Sequence, residues 1–222
     1  MRHMAKLTLG IALTMLAASN AHGQWNVARF GMERNRVYTT FGLDPAFVTS
    51  VGYARTFPVL THEFQITGEV GMASNRADTR DFRSRIGTQT SLASWKALNL
   101  TGAATFVTRG TDNAIYRGFN FGADLTGAVG VYRPRWFVAG EMGLDKAVIT
   151  HVKHSAYYRD TFYPDAKDGW YLDAGGTIHH GLSAGVTIGK AELVGRAGWL
   201  RTENYNSLMP PFYGSIGLGV GF

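Results

Sequence analysis

GSIGLGVGF, residues 214–222, alternates without a break: Ile216, Leu218, Val220 and Phe222 fall on one side of an extended chain, and Ser215, Gly217, Gly219 and Gly221 on the other. A two-residue period is that of a β-strand with a single apolar face, and here the opposite face is almost entirely glycine. The same pattern recurs upstream. It is clearest over residues 63–73, where Phe64, Ile66, Val70 and Met72 oppose Glu63, Gln65, Thr67, Glu69 and Gly71.

Working back from that end, the alternation predicts strands over residues 24–41, 47–57, 63–73, 82–92, 97–108, 115–132, 136–145, 177–189, 191–202 and 214–222. The connections alternate between short and long. Turns at Pro58, Trp95, Pro134 and Lys190 lie at one end; a turn at Asp44-Pro45 and loops around Asn75, Thr111, His154 and Asn206 lie at the other. An even strand count with this asymmetry predicts an all-β, transmembrane, antiparallel up-and-down β-barrel of about ten strands. Eight strands would require two of these segments to be something else, and twelve would require strands inside the long insertion at residues 147–176.

The first 23 residues read as a secretory signal peptide, with Arg2 and Lys6 ahead of the apolar run at residues 7–18 and small residues before residue 24. That leaves residues 24–222 as the barrel domain. No later segment has the roughly 18 uninterrupted apolar residues of a spanning helix, and only a closed barrel otherwise satisfies its backbone in lipid. The 28 Gly, 10 Tyr, 13 Phe and 5 Trp suit small inward positions and aromatic girdles. With no Cys, disulfides and thiolate chemistry are excluded. The net charge of +6 falls to +4 once Arg2 and Lys6 leave with the signal peptide, and a basic excess on an exported chain points to lipopolysaccharide phosphates, not nucleic acid.

A strand of this kind closing on a terminal Phe resembles the C-terminal signal of bacterial outer-membrane barrels, carried here by Ile216, Leu218, Val220 and Phe222. The resemblance implies the bacterial outer membrane as location. It also implies the barrel assembly machinery as a partner during biogenesis, and outer-membrane lipids and lipopolysaccharide as surroundings.

Four groups of residues are candidates for function. Glu69, Arg83, Arg85, Asp124, Glu141 and Arg196 fall on polar faces, where opposite charges pair across a lumen and fill it, or line a narrow conduit. Arg76, Arg80, Arg109, Arg159 and Arg201 fall near outer ends, where bidentate contact with lipopolysaccharide phosphates is expected. His151, His154 and His179 are candidate metal ligands, but their spacing does not bring three together, so no cofactor is expected. His154-Ser155 invites comparison with an acyl-transfer pair, though adjacent residues seldom align for it. The aromatic stretch YYRDTFYPDAKDGWY, residues 157–171, is an expected surface for an extracellular protein partner, or a lid. The leading expectation is a non-enzymatic integral barrel serving membrane integrity, surface interaction or narrow conduction, with a basic outer rim. The alternatives are a lipid A-modifying barrel enzyme with its site at that rim, and a soluble periplasmic ligand-binding barrel.

Overall fold

The computed structural model describes residues 24–44, 46–74, 80–173 and 175–222; the expected signal peptide, residue Pro45 of the first turn, and Arg76 lie outside them. Eleven strands form one sheet: β1 (Asn35–Asp44), β2 (Ala46–Val59), β3 (His62–Ala73), β4 (Phe82–Trp95), β5 (Leu98–Asp112), β6 (Tyr116–Arg133), β7 (Trp136–His154), β8 (Gly169–Leu172), β9 (Gly176–Ile188), β10 (Ala191–Thr202) and β11 (Ser207–Gly221). A short helix, α1 (Ala156–Thr161), precedes β8. Each strand pairs antiparallel with its neighbour, β7 pairs directly with β9, and β11 returns to β1, so ten strands close into a barrel. The short β8 only adds to the far end of β7.

Closure removes the edges that an open sheet would present and turns the alternation into two surfaces. On the outside, Val51, Ile86, Leu125, Leu182 and Ile216 are 60–64% exposed. On the inside, Thr67, Glu69, Thr105, Asp124, Glu141 and Arg196 are buried. The C-terminal strand β11 pairs on both sides, Val220 with Val37 of β1 and with Ala191 of β10.

Several boundaries differ from expectation: β11 begins at Ser207, inside the expected last loop, and three others differ for a local reason. Pro58 does not end β2, which runs on to Val59 and turns at Leu60 and Thr61. The Thr56 N–H bonds the Arg34 carbonyl on the β1 side, so the Pro58 nitrogen two residues on points past the start of β1, where no ladder bond is required. The insertion expected at residues 147–176 is shorter, because β7 continues to His154 opposite β6. A bulge opposite Phe121 and Gly122 inserts an extra residue there and breaks the two-residue period. Finally, residues 24–34 are not part of a first strand: they turn into the barrel, and β1 begins at Asn35.

Candidate functional site

The interior is occupied in two tiers. At the end with the short turns, residues 24–34 form a plug around a 3-10 turn (Val27–Arg29), which the Asn26 side chain caps by accepting the Ala28 N–H. Trp25 is fully buried and Phe30 nearly so. They share an apolar cluster with Tyr38, Ala54, Ala128, Tyr132, Phe137, Ala139 and Val194, drawn from five strands.

Polar bonds lock the plug in register. Gln89 of β4 accepts the Trp25 N–H at 3.1 Å and donates to the Trp25 carbonyl at 3.0 Å. The buried Glu192 of β10 accepts the Asn26 N–H at 2.9 Å and pairs with Arg36 of β1 at 2.7 Å. The Arg36 guanidinium lies 4.6 Å from the Trp25 ring centroid, a cation–π contact away from water. Asn26 also donates to the Arg133 carbonyl at 2.7 Å, and Arg29, itself paired with Glu33, donates to the Pro134 and Gly189 carbonyls at 3.0 and 3.2 Å. The plug is thereby tied to two of the short turns.

Above it lies a charged tier built by the strands alone. Arg85 pairs with Glu69 at 3.2 Å. Arg196 donates to both oxygens of Glu141, whose Oε1 also accepts the Tyr213 hydroxyl at 2.6 Å. Asp124 accepts the Thr126 hydroxyl at 2.8 Å, and that hydroxyl lies 3.0 Å from Nε2 of His179. Isolated charges at this depth would be very costly, but paired and hydrogen-bonded ones are tolerable. Arg83 shares the inward face of β4, in register with Gly71 and Arg109.

Arg109 is corrected by this arrangement. Expected at the outer rim, it is buried in the lumen, pairing with Asp145 and donating to Asn120 at 2.9 Å. Its position on β5 has the parity of Thr105 and Val107, both inward.

At the long-loop end, His154 receives Asp168, which accepts its backbone N–H at 2.8 Å and pairs with Arg159 at 2.5 Å. The Arg159 contact, and then the His154 N–H, hold the Asp168 carboxyl well below the usual carboxylate range. Ser155 is the N-cap of α1: its hydroxyl accepts the Tyr158 N–H at 3.1 Å and donates to the Ala114 carbonyl at 2.7 Å. Both uses are structural, and His154 is turned to Asp168. The three candidate histidines are separated, with His151 against Trp170, His154 at the end of β7 against Asp168 and His179 in the lumen. Among the described residues no three His, Asp or Glu side chains converge as metal ligands.

The other rim arginines are spread. Arg80 and Arg117 share Asp112 at 3.0 and 2.9 Å with their side chains about two-thirds exposed. Arg201 donates to Ser207, and Arg159 is engaged by Asp168. Below Arg80 and Arg117 the outer wall carries an aromatic cluster in which Phe119 lies 6.2 Å from Phe82 and 4.9 Å from Phe121, and Phe106 lies 6.0 Å from Phe121.

Sequence reasoning missed Trp25, Asn26, Arg36, Gln89 and Glu192. One signal pointed to them. A Cβ on Gly219 would approach Trp25 to 2.9 Å, and one on Gly221 would overlap Glu33, so the inward glycines of the last strand are the space into which the plug fits. No family model matches the chain, and no curated protein matches it.

Proposed function

We propose that this chain is an integral barrel of a bacterial outer membrane, closed to solute flow, whose outer surface contacts lipopolysaccharide. The observation that carries the reading is the apolar outer wall. Exposed Val, Ile, Leu, Phe or Met side chains stand on all ten barrel strands, while Glu69, Arg85, Asp124, Glu141 and Arg196 are turned inward. An apolar surface of that extent has no place in water, and outward apolar with inward polar is the order of a membrane barrel. Both ends of the described chain and the short turns then face the periplasm. The plug and the ion-paired tier support a sealed interior over a conduit. The Arg80–Asp112–Arg117 group beyond the Phe82, Phe106, Phe119 and Phe121 cluster supports contact with an anionic headgroup, since arginine suits phosphate.

Fractionation of cells expressing the full chain tests this. The expected result is recovery in the outer-membrane fraction, a gel mobility that shifts on boiling, and no conductance in a planar bilayer. Recovery in the soluble periplasm with no shift would overturn the membrane reading, and steady conductance would overturn the sealed lumen.

A further inference from the structure

The apolar outer wall carries a recess. Where β6, β7, β9 and β10 cross its middle, a groove of about 470 Å³ sinks between the side chains of Met142, Leu182, Trp199 and His180, with Gly127 and Gly140 in its lining. A Cβ added at Gly127 or Gly140 would meet nothing closer than 4.0 Å, so these glycines leave open space; nothing packs against them. The recess is an open groove in the wall, not an enclosed pocket.

His180 marks one end of the groove. Its ring faces outward, stacked at 6.1 Å on Trp199, and its outward neighbours Ile178, Leu182, Met142 and Trp199 are all apolar. An imidazole in hydrocarbon needs a hydrogen-bond partner, and an ionisable residue at such a position is a functional candidate by default. Two residues beyond Trp199 on the same face of β10 is Arg201. The acids nearest that end, Asp173 and Glu203, are both engaged by Lys146, whereas the Arg201 guanidinium donates only to the neutral Ser207 hydroxyl among the described bonds and keeps its charge for an anion.

We propose that the groove holds one acyl chain of a lipid A molecule, with the His180 imidazole donating to the carbonyl that links the chain to its sugar and Arg201 facing the headgroup. This rests on the orientation given above, which puts the His180 end of the groove toward the outer leaflet. The Arg80 and Arg117 rim on other strands is a separate contact.

Native mass spectrometry of the refolded full chain, released from micelles doped with lipid A or with dipalmitoylphosphatidylcholine, tests it. The wild type retains one lipid A. Gly140→Leu and Gly127→Leu, which fill the groove without strain, and His180→Leu, which removes the donor, lower that retention to the level of the phosphatidylcholine control. His180→Gln, which keeps a donor, recovers part of it. A boiling-dependent gel shift confirms that each variant is folded. If both folded leucine-filled variants keep wild-type retention, the groove is not the site. Equal retention of the phosphatidylcholine overturns lipid A as the occupant. Loss only in Arg80→Ala/Arg117→Ala overturns the groove while leaving the rim contact standing; no lipid A on the wild type overturns both, although a gel shift and outer-membrane recovery would still support the barrel's location.

Discussion

The two tiers of the lumen fill the same cylinder by opposite means. The lower one is closed by a segment remote in sequence from most of what it touches, since Trp25 meets Gln89 and Asn26 meets Glu192. The upper one is closed by the strands themselves, with Glu69–Arg85 bridging the adjacent β3 and β4 and Glu141–Arg196 spanning the one strand between β7 and β10, not across the lumen. The first tier is an apolar core with a polar lock and the second a set of ion pairs with hydroxyl bridges. The difference teaches that a barrel wall can supply charge from its own pleat, but it can fill a large apolar volume only by importing side chains.

The tiers should respond differently to mutation. The largest effect is expected for Trp25→Ala, which empties a fully buried site and should cost about 3–5 kcal/mol in urea-unfolding experiments. Removing residues 24–33 altogether should leave the barrel as silent as the wild type, because the ion-paired tier still closes the lumen; measurable conductance would show that the plug is the seal.

Arg196→Met, in the upper tier, leaves Glu141 buried with only the Tyr213 hydroxyl among its described bonds, and a loss of about 3–5 kcal/mol is expected. Adding Glu141→Leu should restore most of it, because removing both charges also removes the desolvation penalty. No single second substitution should rescue Trp25→Ala in the same way. Equal rescue in both tiers would erase the distinction between them.

A smaller loss, about 1–3 kcal/mol, is expected for Asn26→Ala, which leaves the Arg133 carbonyl and the Ala28 N–H without their partner. The same unfolding measurement checks it. The gentlest probe lies outside both tiers. Asp168 has a depressed folded pKa, so its contribution to loop docking is present above the unfolded carboxylate range and is lost as pH falls through the folded value. The resonances of the Arg159 guanidinium, the first partner of Asp168, should therefore report the loss of this contact only below about pH 4, near the unfolded carboxylate pKa. Asp168→Asn should abolish that transition.

Much of the wall was legible in the sequence because a strand's side-chain period is a local property. Residues such as Glu69, Arg85, Asp124, Glu141 and Arg196 declare their face by parity with their neighbours, and all five are buried in the lumen. Parity fails where the period breaks, as at the β7 bulge that hid residues 147–154 from the strand reading. It also misled at Arg109, whose place near a strand end suggested a rim although its face pointed inward.

The sequence by itself determined that the chain alternates apolar and polar faces through about ten segments, because the backbone pleat writes that period directly into residue order. Only the tertiary structure decided what stands inside. Whether the glycines at 217, 219 and 221 bound an open pore or a filled one depends on Trp25 and Glu33, nearly 200 residues away in sequence, which come to rest against them only once β11 has closed onto β1. Local periodicity carries no information about a contact of that separation, since the contact exists only after closure has placed the two ends of the chain side by side.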